Sequence, residues 1–431
     1  MNDSANDLAN DSTNDSTNDS ANDFAAQLEK YAQLVVQSGC NLKPGQELFI
    51  NASTDTCEFA RLLTAAAYQQ GARKVTVLFA DEQISRLHYE NCDLEVFEDY
   101  PKWQALLQNS MAENGAAMLR ILSEDPLAMV GLDKNKFVAN ARAAHTACKP
   151  YHEAFDQGRL VWCIVGAAAP KWASHVFPDL PLEAAMDKLW QAIFASVRVD
   201  QADPIAEWDK HRQSFDERKA WLNSQHFASL HYVSQNGTDL VVGLNQKGLW
   251  QGGGDVTVNG TEFFPNMPTE EIFTSPDRLR ANGIVYSSMP LVIYGSLVED
   301  FSLSFQDGKV CAAKARVGQD SLDAALAVDD GAARLGECAL IPWTSPIRAS
   351  GILFYNTLYD ENASCHLALG KGFSDCFEGG LTMNEDELEA AGVNNSASHL
   401  DFMVGTADLN IFGIKADGQE LAIFENGEWA F

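Results

Sequence analysis

Between Phe24 and Arg198 the chain alternates short apolar runs with helix-spaced apolar stripes, and this alternation narrows the possible folds more than any other feature. Phe24, Leu28, Tyr31, Leu34 and Val35 fall on one helical face, so the spacing predicts a helix over 24–38, ended by Gly39. A strand is predicted at 47–50, a helix at 57–70 closed by Gly71, and a strand at 74–79. Further strands are predicted at 117–122 and 160–165, with helices at 102–113 and 134–154 between them. Such repetition calls for a mostly parallel sheet with helices on its faces, because parallel strands need crossovers. Helical patterns continue over 182–198 and 203–222, the latter with Pro204 in its first turn.

After residue 226 the texture becomes short strands and tight turns. Asn236-Gly237, Asp307-Gly308, Asp417-Gly418 and Asn426-Gly427 are hairpin signals, since both residue types tolerate the left-handed backbone these turns need. The boundary falls near 205–226. The 431 residues therefore divide into an N-terminal, mostly parallel α/β sandwich domain (24–215) and a β-rich α+β domain (216–431). Ahead of them, Asn-Asp recurs every fourth position from 2–3 to 22–23. That spacing stacks like charges on one helical face with almost nothing to bury, so residues 1–23 are expected to be a disordered acidic tail.

The charge balance excludes some functions. With 30 Lys+Arg against 60 Asp+Glu, the net charge of −30 opposes nucleic acids and anionic membrane surfaces. No apolar run approaches the ~20 residues of a membrane helix, and the N-terminus lacks the basic and apolar regions of a signal peptide. The nine cysteines are scattered, odd in number and without a Cys-x-x-Cys pair, which fits buried thiols in a cytoplasmic protein better than a disulfide framework. Walker A, G-x-G-x-x-G, G-x-S-x-G and H-E-x-x-H patterns are all missing, so the first domain is expected to be scaffold.

The residues suited to chemistry lie in the second half. Only His366 and His399 of the nine histidines lie beyond residue 231, and both sit among carboxylates. The segment His399-Leu400-Asp401-Phe402-Met403-Val404 alternates with period two, so a strand there puts His399 and Asp401 on one face and Leu400, Phe402 and Val404 on the other. Glu361 comes within reach of His366 if the segment turns. Glu271 is bracketed by Pro268 and Pro276, and Glu337 leads into an apolar strand, where a charge is either at an edge or paired.

Over long stretches these segments resemble one family. The strings NMPTEEIFTSP, SGILFYNTLYDENASCHLALG and HLDFMVGTADL, with YAQLVVQSGCNLKPGQELFI, AAYQQGARKVTV and DLPLEAAMDKLWQAIF, are similar to metallo-aminopeptidases of the aminopeptidase T and aminopeptidase S type. The resemblance covers the chain from residue 24 onward. It implies a cytosolic exopeptidase that removes N-terminal residues from short peptides through water activated by two metals. The family's metal ligands fall on Glu271, Glu337, His366, His399 and Asp401, and Glu361 falls on an acidic active-centre position suited to acid/base work. It further implies a homodimer and two divalent ions such as zinc, cobalt or manganese. Carboxylates and imidazoles without thiolate suit such ions, which need a bridging carboxylate and generate hydroxide at neutral pH. One position departs from the pattern: Phe373 stands where the family has tyrosine, and phenyl can neither ligate a metal nor hydrogen-bond an oxyanion. Tyr355 and Tyr359 are the candidates to compensate. The alternative reading is a catalytically impaired metal- or peptide-binding member of the same fold.

Overall fold

The structure is a computed structural model that describes residues 12–293 and 296–431, with side chains from Asp23 onward. Residues 1–11 of the acidic repeat lie outside the described residues, and the first helix runs Ser12–Leu34 before a π turn at Val35–Gly39.

The alternating half builds a five-stranded parallel sheet. Its order is Asn266–Met267, Trp162–Gly166, Ala117–Leu122, Glu47–Ser53, Lys74–Ala80. Along Glu47–Ser53, Leu48 and Ile50 face a large core with Tyr31, Phe59, Leu119, Trp172 and Phe194, while Phe49 faces a smaller one with Met111 and Leu160. Period-two alternation with both faces covered is what such a sheet requires.

Three details differ from the sequence reading. Residues 12–23, expected to be part of the disordered tail, belong to the first helix. The helix expected over 134–154 is two helices, Lys134–Ala147 and Lys149–Asp156, because Pro150 has no N–H to continue the ladder and sits in the second helix's first turn. Helices Glu82–Asn91, Leu94–Glu98 and Pro170–Val176 and the strand Asn266–Met267 were not anticipated. That last strand comes from the second half. It pairs with Ile164 and Val165, and Phe264, Met267, Ile347, Phe354, Leu358, Tyr359 and Ala363 join the first core with it. The indole N–H of Trp172 donates to the Phe354 carbonyl at 2.7 Å across the same seam.

The second half is antiparallel. All four expected turns link paired strands. At Asp307-Gly308 and Asn426-Gly427 both residues have positive φ, the mirror-image turn that matches strand twist. A nine-stranded sheet, which includes Ser229–Val233, Asp239–Leu244 and Ser296–Gln306, packs on a five-stranded sheet ordered His399–Met403, His366–Gly370, Leu335–Leu340, Ile272–Thr274, Gln251–Gly252. Tyr232, Leu240 and Phe301 meet Leu340, Leu367 and Phe402 between them. The architecture is thus mixed α/β, as the alternation and turn signals predict. All nine cysteines are free thiols, six of them buried.

Candidate metal centre

The second sheet turns one face into the core and offers the other as a platform. Its registers pair Glu337 with Ala368, Ala368 with Asp401, Gly370 with His399 and Ala339 with His366. Those residues share the platform face, while Cys338, Leu340, Leu367, Leu369 and Phe402 fill the opposite one. Ala339, Ala368 and Gly370 are small, which leaves room above the strands for the polar side chains. Strict alternation would put Leu335 on the platform beside Glu337. A register shift between them, at Gly336, lets Leu335 enter the core instead.

Glu271 ends the loop that enters the Ile272–Thr274 strand, next to Leu335–Leu340. Its Oε2 lies 3.4 Å from His366 Nε2. His399 Nε2 lies 3.2 Å from Glu337 Oε2 and 3.1 Å from Asp401 Oδ1. Five of the predicted residues therefore form two triads with ligand atoms within 4.8 Å of one another: Glu271, Glu337 and His366, and Glu337, His399 and Asp401. Glu337 belongs to both, so its charge is paired, one of the two alternatives the sequence left open. The side chains are graded in exposure, His366 at 1% and Glu337 at 5% forming the floor and His399 at 28% the open side.

Both imidazoles are oriented from behind. His366 Nδ1 donates to the Glu361 carbonyl at 3.0 Å, and His399 Nδ1 donates to the Lys371 carbonyl at 2.7 Å. These bonds fix the tautomer and leave each Nε2 facing the carboxylates, as metal-ligating histidines require. The one-turn helix Glu361–Ala363 supplies the bend that brings Glu361 back to His366. Asn362 was missed from sequence: its Oδ1 accepts from the Glu270 N–H at 2.7 Å and its Nδ2 donates to the Leu358 carbonyl at 2.9 Å.

The electrostatics fit a cation. Burial and then the neighbouring Glu337 charge push Glu271 up to about 8. Burial and then Glu271 raise Glu361 well above the usual carboxylate range. Burial opposes the His399 charge, but Asp401 and Glu337 outweigh it and raise the imidazole well above its ordinary value. Asp401 is lowered because His399 outweighs its burial. Four clustered carboxylates at a partly buried site need positive charge, and the donor set of oxygen and nitrogen without sulfur suits divalent ions.

Phe373 packs its ring 5.1 Å from that of His399 and 5.3 Å from that of Phe273. Tyr359 instead stacks on Phe354 and adjoins Trp172 in the first core, and Tyr355 packs edge-on to His175. The Tyr359 phenol is thus taken up by the first core.

Fold and donors together define a candidate divalent-metal centre built on a mixed α/β scaffold. Comparison with known proteins makes the class specific. Residues 24–429 match the thermophilic metalloprotease (M29) family. The chain is 43% identical to aminopeptidase AmpS of Bacillus subtilis over 408 residues, covering 95% of this chain and 99% of its relative. It is 39% identical to aminopeptidase T of Thermus thermophilus over 409 residues, covering 94% and 99%. The solved structure of wild-type AmpT from Thermus thermophilus superposes with a TM-score of 0.88 at 38% identity, over 95% of this chain and all of that one. The chain belongs to the thermophilic metalloprotease family, and with it to the metallo-aminopeptidases.

Proposed function

We propose that this protein removes N-terminal residues from short peptides using two divalent ions, zinc, cobalt or manganese, held by Glu271, Glu337, His366, His399 and Asp401. The observation that carries the reading is the pair of triads with Glu337 in common. In this reading Glu271 and His366 would hold one ion and His399 and Asp401 the other, with Glu337, common to both triads, available to either. When bound, such ions polarise the scissile carbonyl and make water nucleophilic at neutral pH. Glu361 takes the proton from the attacking water and returns it to the leaving amine. The acidic surroundings favour the substrate's free α-ammonium over an internal peptide bond. The open side at His399 admits the chain end.

We infer a cytoplasmic homodimer. Among the described residues no helix is long and apolar enough to cross a membrane. A monomer mass in sedimentation equilibrium counts against the dimer. For the activity, chelation abolishes hydrolysis of aminoacyl chromogenic substrates and zinc or cobalt restores it. His399→Ala removes one side of the centre and lowers kcat by at least ~10²-fold, the scale of losing a metal-site or transition-state contact. Full activity in that variant refutes the assignment.

A second reading rests on Phe373, whose ring offers no hydroxyl beside His399. In it the protein binds metal and peptide with impaired turnover. Stoichiometric zinc in the purified protein without cleavage of any peptide selects this reading.

A further inference from the structure

We propose that Arg198, Glu270 and His211 form a positioning network for the metal centre, one that fixes the loop carrying Glu271 and, through Asn362, the Glu361 turn. The inference rests on the two-metal reading above. Glu270 adjoins Glu271 but points away from the two triads. Its carboxylate, 6% exposed, meets Arg198 Nη2 at 2.7 Å through Oε1 and His211 Nε2 at 3.6 Å through Oε2. His211 Nε2 also donates to the Thr269 carbonyl at 2.8 Å, and its Nδ1 lies 3.4 Å from Arg198 Nη2. Burial first, and the Arg198 charge third, keep this imidazole low in proton affinity, so Nδ1 accepts from Arg198 while Nε2 donates. The loop 269–271 is thus held by its Thr269 carbonyl, the Glu270 side chain and the Glu270 N–H. That N–H goes to Asn362, whose amide also lies 3.5 Å from Glu361 Oε1.

The backbone at Arg198 points to a role beyond filling space. The helix Leu182–Ser196 ends with Arg198 N–H on the Ala195 carbonyl and Val199 N–H on the Phe194 carbonyl. That pattern places Arg198 at the left-handed position where glycine is the usual residue, and its φ is +61°. A non-glycine residue there is strained, and such strain persists where the surroundings demand the side chain. The guanidinium is what this position delivers. It lies 5.6 Å from the Trp208 ring, and Trp208 is itself tied to the Val197 carbonyl at 2.8 Å. Helices that contribute no ligand therefore hold the ligand loop from behind. Groups that hold metal ligands in this way are typically worth about 10–100-fold in metal affinity or activity.

The test compares wild type with Arg198→Gly, Arg198→Lys and Glu270→Gln in the full chain. Zinc alone is titrated into the apo proteins by calorimetry, kcat and KM are measured after loading, and apo melting temperatures are recorded. Arg198→Gly relieves the left-handed strain yet removes the fork, so it separates folding from positioning. The expected result is zinc affinity lower by about 10–100-fold, kcat lower with KM little changed, and partial recovery in Arg198→Lys. Altered melting temperatures with wild-type zinc affinity and kcat overturn the proposal. If Arg198→Gly does not fold, Glu270→Gln and Arg198→Lys decide by the same two readouts. Failure of wild type itself to take up zinc, cobalt and manganese alike sinks the two-metal reading and this proposal with it, whatever the variants do.

Discussion

His366 and His399 each have one nitrogen tied to a backbone carbonyl and the other turned to carboxylates, so protons and cations compete for the same side chains. This fixes the sign of a pH effect. Glu271 is pushed up to about 8 from 4.5, and His366 and His399 are raised above 6.5. Groups raised on folding stabilise the protein fully below their unfolded values, and that contribution is lost as pH climbs through the folded ones. Asp401 runs the other way, but its window lies below 3.8. Between pH 5.5 and 8 the apo protein therefore loses stability at this centre, while under the proposed ligand set a divalent ion gains access to the same side chains. Zinc raises the melting temperature more at pH 8 than at pH 5.5 in differential scanning fluorimetry, and equal shifts contradict the competition. Much of the centre was legible residue by residue. Period two put His399 beside Asp401, and two prolines singled out Glu271. Arg198, His211 and Asn362 carried no such signal, because their roles exist only in contacts across 72 or more positions of chain for Arg198–Glu270 and Asn362–Glu270 and across 58 for His211–Thr269.

The strand Leu335–Leu340 has to serve a core on one face and the two triads on the other, and the shift at Gly336 reconciles the two demands. A Cβ at Gly336 would fall on the Gly370 and Lys371 carbonyl oxygens. Lys371 is the residue whose carbonyl orients His399. Gly336→Ala is therefore expected to cost about 1–3 kcal/mol of stability through overpacking and to weaken zinc binding at the His399 side. Denaturant unfolding and a zinc titration of the same sample measure both, and wild-type values in the two experiments refute the coupling. Long elements with a clear period were readable from sequence, the helix Lys102–Glu113 and the strand Ala117–Leu122 to the residue. The strands Gln251–Gly252, Asn266–Met267 and Ile272–Thr274 were not, since two or three residues cannot display a period and owe their form to neighbours.

The division at 215/216 follows a change of texture and stands as a proposal about topology. Folding draws on both sides of it: Phe264, Met267, Phe354 and Tyr359 are among the later residues that complete a core built mainly from residues before 216. A fragment of residues 24–226 is expected to keep helical circular dichroism yet bind ANS and melt without cooperativity, because each missing aromatic removes about 3–5 kcal/mol of packing. A sharp two-state transition in that fragment argues for an autonomous first domain. Sequence texture could not reveal this interlock, which depends on a return of the chain that leaves no compositional trace.

That return has a mechanical consequence. Met267 is bonded into the edge of the parallel sheet, and only three residues of chain separate it from Glu271. Rocking one half of the molecule against the other would peel this edge from Val165 and pull a carboxylate off its mark. The seam is therefore pinned close to the centre, and the Glu271 carboxylate would be the first to register any displacement of one half against the other.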